Sequence, residues 1–160
     1  MRILGIDPGI ARTGWGIIEE EKGTVKALAF DCLETDCKEE TVKRLETIHK
    51  RITGIIKQFS PDALAIEELF FNSNAKTAFV VGQARGVILL SAAQTKIPSF
   101  TYTPLEVKIA VTGYGRAEKN QVGQMVKTIL SLKDVPKPDD TADALAVAIT
   151  HSFQRRIPKK

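Results

Sequence analysis

The stretch "PDDTADALA", Pro138 to Ala146, sets Asp139, Asp140 and Asp143 at the mouth of an apolar run that continues through Val147, Ala148 and Ile149. One acid at a helix start is ordinary, since Asp caps well and its charge suits the positive end of the helix dipole. Three ask for chemistry. Two other apolar runs end in acids, "RILGI" in Asp7 and "DALAI" in Glu67 and Glu68. If these runs are neighbouring strands and the last helix starts above their ends, the carboxylates converge. Converging carboxylates repel one another and are costly to bury unpaired, so such a site implies a cation. An all-oxygen cluster without His or Cys suits Mg²⁺, with Mn²⁺ as a substitute, better than zinc. The chemistry that uses it most directly is phosphoryl transfer, in which two ions about 3.5 to 4 Å apart activate water and stabilise the leaving oxygen.

The elements that must position these acids follow from periodicity. "RILGIDPG", "TGWGIIEEE" and "TVKALAFDCL" read as three strands of an antiparallel meander, the last two joined by a turn at Lys22-Gly23. From Glu39 the period changes. Val42, Leu45, Ile48, Ile52, Ile55, Ile56 and Phe59 recur at helical spacing, and Ser60-Pro61 stops them. "DALAIEELFF" predicts a buried strand, Ala75 to Lys96 a long helix and "IPSFTYT" a further strand. Helices are expected at about 104 to 111, 118 to 132 and 140 to 155. The result is an α/β domain, a mixed five-stranded sheet flanked by helices, over residues 1–155 with a basic tail at 156–160. On the fourth strand Glu67 and Glu68 point to opposite faces, so only one can join Asp7. Asp140 and Asp143 are i and i+3 on one helical face, while Asp139, after Pro138, is placed to be the N-cap. The alternative makes Asp140 the cap and Asp143 a first-turn residue favoured by the dipole.

Composition limits the partners. The chain has 160 residues, 43% hydrophobic and 26% charged, which is ordinary globular usage. The apolar run Gly86 to Ala93 is far short of the roughly 20 residues of a membrane span, and the start of the chain lacks a signal-peptide core, so a cytoplasmic protein without membrane contact is expected. Cys32 and Cys37 read as reduced thiols. Residues 1–100 hold 13 basic and 13 acidic side chains and residues 101–160 hold 10 and 6, a bias that fits a polyanion bound by the last third.

"GIDPGIARTGWG", "AIEELFF", "GQARGV", "GYGRAEKNQV" and "DDTADALAVAITH", in that order over nearly the whole chain, resemble the RuvC family of Holliday junction resolvases. The resemblance implies a ribonuclease H-like fold and a homodimer. It also implies divalent metal used to cut two opposed strands of a four-way DNA junction symmetrically, and a branch-migration motor as partner. The family's four acidic positions, catalytic and metal-binding, fall on Asp7, Glu67, Asp140 and Asp143. Lys108 and Lys119 align with family lysines that contact DNA phosphates near the active site, and with Arg116 they can hold or polarise the scissile group. Phe70 takes the family's position for stacking on an unpaired base at the junction centre, leaving Phe71 to packing.

Other residues take plainer readings. Gly82 and Gly86, at i and i+4, allow close helix approach, for a dimer seam or for packing on the sheet. His151 lies eleven residues beyond Asp140, about 16 Å along a helix, too far to share its ion. Trp15 reads as a core aromatic. Two other functions compete with the nuclease: a silent junction binder or YqgF-like relative acting on RNA, which the full acid set with Lys119 disfavours, and an actin-like ATPase or kinase, which needs a second nucleotide-binding half.

Overall fold

A computed structural model describes residues 1–68 and 75–155; Phe70, Phe71 and the basic tail lie outside them. The meander is formed by β1 (Arg2–Asp7), β2 (Arg12–Glu21) and β3 (Thr24–Glu34), each antiparallel to the next. Lys22 and Gly23, with φ of 50° and 86°, make the β2–β3 turn, as a two-residue hairpin loop with both central residues at positive φ requires. The helix α1 (Thr41–Phe59) turns Ile48, Ile52, Ile55 and Ile56 inward, and left-handed Ser60 ends it by donating its N–H to the Ile56 carbonyl. Its first turn does not reach the core: Val42, expected there from its spacing, is 72% exposed. β4 (Ala63–Glu67), α2 (Ala75–Gln94), β5 (Ser99–Tyr102), α3 (Pro104–Thr112), α4 (Lys119–Ile129) and α5 (Asp139–Gln154) complete the described elements. No helix among them is long and apolar enough to cross a membrane.

The sheet order is β3-β2-β1-β4-β5, with β1, β4 and β5 parallel. Alternation along β1 and β4 splits the core in two. Leu4, Ile6, Leu64 and Ile66 pack with the isoleucines of α1 and with Ala84 and Ile88 of α2. Ile3 and Ala65 pack on the other side with α5 and with Val107, Val122 and Val126 of α3 and α4. Each of these large side chains is worth about 2 kcal/mol when fully buried, so a one-residue slip of β1 would cost several of them at once. Register therefore fixes the face of the strand ends. By the same alternation Asp7 falls on the α5 side with Ile3 and Gly5, and Glu67 with Ala65.

Glycines let α5 come down directly onto that face. A Cβ on Gly5 would collide with the Ala144 carbonyl and the Ala148 side chain, and one on Gly14 with the Asp140 carbonyl oxygen. Gly14 pairs with Asp7 across β1 and β2. The strand glycine thus seats the first turn of α5 beside the Asp7 carboxylate. Because the clash is with backbone, Gly14→Ala is expected to push that turn away. Stability should fall by about 1–3 kcal/mol as for other overpacked sites, and activity by more than the unfolded fraction explains. A melting curve beside the activity of the folded enzyme separates the two effects.

Candidate active site

Asp7 and Glu67 end adjacent parallel strands, one residue beyond the ladder pair Ile6 and Ile66. A cleft of about 320 Å³ opens above them, lined by Asp7, Glu67 and Asp143, by Lys108 and Lys119, and by apolar Pro104, Val107 and Val122. α3 is held in place by a capping box in which the Thr103 side chain accepts from the Glu106 N–H and the Glu106 carboxylate accepts from the Thr103 N–H. That box fixes Val107 and Lys108 over the strand ends.

The acids are set close enough to disturb one another. Burial pushes the Asp7 carboxyl up to about 8, and the charges of Glu67, Asp143 and Asp140 push the same way against the Lys119 ammonium. Burial also raises Glu67, to about 7, aided by Asp143 and opposed by Lys119 and Lys108. Asp143 is raised by burial although it accepts a hydrogen bond from Lys119. That contact, Nζ to Oδ2 at 2.8 Å, is the cluster's one cation pairing among the described residues. Lys119 opens α4 with no acid in the first turn, so it sits against the helix dipole and is compensated from α5 instead. Among the described residues no three His, Cys, Asp or Glu side chains are spaced to ligate one ion as they stand. What the cluster offers is oxygen donors alone, with a surplus of negative charge that Lys119 offsets only in part. That donor set fits a hard divalent cation, which would restore the ordinary acidity of Asp7 and Glu67.

The expected division of the three α5 acids needs one correction. Asp139 is not the cap: Pro138, at φ −64° and ψ 176°, is the flanking residue, and its carbonyl accepts the Thr141 N–H at 2.9 Å. Proline needs no donor partner there, so the helix starts one residue earlier and Asp139 becomes its first turn. Asp139 is exposed and borders a neighbouring hollow with Asn120 on the far side of Lys119. Asp143 borders both. Asp140 does not line the main cleft; its charge reaches Asp7 and also Cys32 of β3, whose thiol is pushed up to about 11, first by burial and then by Asp140.

Of the basic residues named from sequence, Lys108 and Lys119 meet in the cleft, while Arg116 is exposed on the α3–α4 loop. His151, expected to be a packed or a surface residue away from the ion, is buried, 2% exposed, and its Nδ1 lies 2.7 Å from the Tyr102 hydroxyl. Trp15 packs partly buried against Phe59. Gly86 faces open space on α2 rather than the sheet. The apolar walls Pro104, Val107 and Val122 were not foreseen; the Thr103-x-x-Glu106 box was the signal that would have located two of them.

Carboxylates on adjacent parallel strand ends of a mixed sheet, met by acids from a helix laid across it and by two lysines, define a nuclease domain of the ribonuclease H-like class. The family model described as "Crossover junction endodeoxyribonuclease RuvC" matches residues 3–151, and the chain belongs to that family. A relative of that name from Moorella thermoacetica is 55% identical over 152 residues, covering 95% of this chain and 91% of its own. One from Halothermothrix orenii is 49% identical over 160 residues, covering 100% and 97%. The Thermus thermophilus RuvC solved in complex with Holliday junction substrate is 38% identical, with a TM-score of 0.93 over 98% of this chain and 95% of that one.

Proposed function

We propose that this chain resolves four-way DNA junctions by symmetric, metal-dependent hydrolysis of opposed phosphodiester bonds. The observation that carries the reading is the single cleft in which Asp7, Glu67 and Asp143 face Lys108 and Lys119. Asp7, Glu67, Asp140 and Asp143 are the metal-binding and catalytic acids in this reading. Bound divalent ions, two Mg²⁺ per site with Mn²⁺ able to substitute, would supply the charge that activates water and stabilises the leaving oxygen. Lys119, held by Asp143, is the group best placed to turn to a scissile phosphate when Asp143 takes up a cation. Lys108 stands close enough to stabilise the Glu67 charge, and from there it can hold a phosphate oxygen. Exposed Arg116 adds attraction for the DNA backbone, and Phe70 is assigned to stacking at the junction centre. The apolar walls of Val107 and Val122 keep bulk water from diluting these charges.

Purified protein with Mg²⁺ is expected to cut a synthetic mobile four-way junction at two symmetric positions, to leave linear duplex intact, and to stop in EDTA. Equal cutting of both substrates would sink the junction assignment and leave a general nuclease.

Two symmetric cuts need two clefts, and the chain supplies a candidate seam for a homodimer. Phe79 and Leu90 on α2 are 67% and 51% exposed, and Gly86 lies with them on the outer face, where an added Cβ would touch nothing of this chain. Leu90→Glu is expected to leave the circular dichroism unchanged and to convert a dimer into a monomer by analytical ultracentrifugation. Gly86→Ala gives the complementary sign: in a lone chain it should stabilise α2 by up to about 1 kcal/mol, whereas against a partner it should weaken association. A dimer that survives both changes is seated elsewhere.

A further inference from the structure

We propose that Arg85 is a positioning residue for Glu67, holding the strand end from which that carboxylate is presented to the cation. The inference rests on the metal-dependent reading of the cleft. Arg85 lies on α2, across the sheet from the cleft, beside Ala84 and one turn before Ile88, both fully buried. Its Nε donates to the Glu67 backbone carbonyl at 3.4 Å, and its Nη2 donates to the Thr101 hydroxyl at 2.9 Å. Thr101 pairs with Ile66 in the β4–β5 ladder, so one guanidinium ties two adjacent strands at their catalytic ends.

The position makes this more than surface decoration. The β1–β4 ladder closes at Ile6 and Ile66, so the Glu67 carbonyl lies past its last pair. On the β5 side Glu67 still pairs with Tyr102, and the Glu68 N–H of the same peptide donates to the Tyr102 carbonyl at 2.8 Å, so the Glu67 carbonyl is turned to the side where β1 has ended and takes its donor from Arg85 instead. The Glu67–Glu68 peptide plane sets ψ of Glu67 and with it the direction in which the side chain leaves the strand; the Tyr102 carbonyl holds that peptide by its N–H, and the charge-assisted Arg85 donor holds it by its carbonyl from the rear face. α2 is itself anchored by Ala84 and Ile88, so Arg85 transmits the rigidity of the rear core layer to a carboxylate on the front.

The test uses full-length protein, with Arg85→Ala and Arg85→Lys beside wild type and Thr101→Val as a variant that removes one contact only. Three quantities are read: junction affinity in Ca²⁺, the Mg²⁺ concentration giving half-maximal cleavage, and the rise in melting temperature with added Mg²⁺ in the absence of DNA. Arg85→Ala should keep junction affinity, raise the half-saturating Mg²⁺ by about tenfold, as loss of an outer-shell support does, and shrink the Mg²⁺-induced thermal shift. Arg85→Lys, with one point-like donor in place of the fork, should fall between, and Thr101→Val should follow Arg85→Ala at reduced size. A lower melting temperature with unchanged Mg²⁺ dependence would mean that Arg85 is a packing residue and overturn the proposal. So would weaker junction binding with a wild-type response to Mg²⁺, the mark of a phosphate contact. If wild type responds thermally to Mg²⁺ but cuts no junction, the functional reading fails while the thermal shift still decides the role of Arg85.

Discussion

Asp7→Asn is expected to remove cleavage by a factor of at least about 10², the loss of a charge that positions an activating ion, and at the same time to make the metal-free protein more stable. The second half follows from the acidity of Asp7. An unfolded Asp titrates near 4, whereas burial and three neighbouring acids hold the folded Asp7 up to about 8. Below pH 4 both states carry the proton and the residue contributes nothing to the difference. Between pH 4 and 8 the unfolded chain ionises and the folded one resists, so stability is lost steadily as pH rises. Asn has no proton to lose and escapes that cost. The gain should reach roughly 1–3 kcal/mol at pH 8, since each tenfold displacement of the proton equilibrium is worth about 1.4 kcal/mol and the acids share the strain. It should vanish near pH 4. Adding Mg²⁺ should raise the melting temperature of wild type more than that of the variant, because the cation offsets the repulsion that Asn has already removed. Melting curves across pH 4 to 8, with and without Mg²⁺, check each step. A variant that is inactive and less stable at pH 8 would mean that Asp7 is a structural partner rather than a strained ligand.

This inversion of sign explains why parts of the site could be read in the sequence and others could not. Asp7 was legible as the acid ending an apolar run, and strand alternation narrowed the fourth strand to one of Glu67 and Glu68, with the family resemblance singling out Glu67; the structure sets both on one face with Ile3, Gly5 and Ala65. The meander and its Lys22-Gly23 turn were legible for the same local reason, each run carrying its period and its breaker. Lys119 breaks a local rule, a cation at a helix start, and such breaks mark functional positions when something distant compensates them. Asp143 is that compensation, and no spacing in the sequence joins residues 119 and 143. Arg85 was hidden by the same logic, since its contacts with Glu67 and Thr101 exist only once α2 has docked on the sheet. Val42 misled because periodicity reports which face a helix turns inward, not how far along its length the core extends. The cap failed for a subtler reason: proline takes the flanking position as readily as aspartate when no side-chain acceptor is needed, and the frame of the helix moved by one.

That one-residue move sharpens what the three aspartates of α5 should do when each is made Asn. Asp143 borders the cleft and pairs with Lys119 at 2.8 Å, on a lysine 66% exposed, so the pair itself contributes at most about 1 kcal/mol. Asp143→Asn should therefore fold normally, keep or tighten junction binding by removing repulsion of phosphate, and lose metal-dependent cleavage by at least about 10². Asp140 stands back from the cleft with its carbonyl over Gly14, yet its charge reaches Asp7. Asp140→Asn is expected to lose cleavage on the same scale, with higher Mg²⁺ recovering part of it, because a ligand at one remove weakens the ion's hold before it abolishes the chemistry. Asp139, exposed in the first turn and bordering the neighbouring hollow, acts on the cleft only at a distance, through the dipole and through its charge on Lys119 and Asp143. Asp139→Asn should lose about 0.3–1 kcal/mol of stability and cleave at close to the wild-type rate. Single-turnover cleavage of a labelled junction across a Mg²⁺ series, beside a melting curve for each variant, distinguishes the three. If Asp139→Asn is the inactive variant and Asp140→Asn cuts normally, the acid that completes the metal site reaches it from the Asn120 hollow, and the cleft above Asp7 is only half of the catalytic centre.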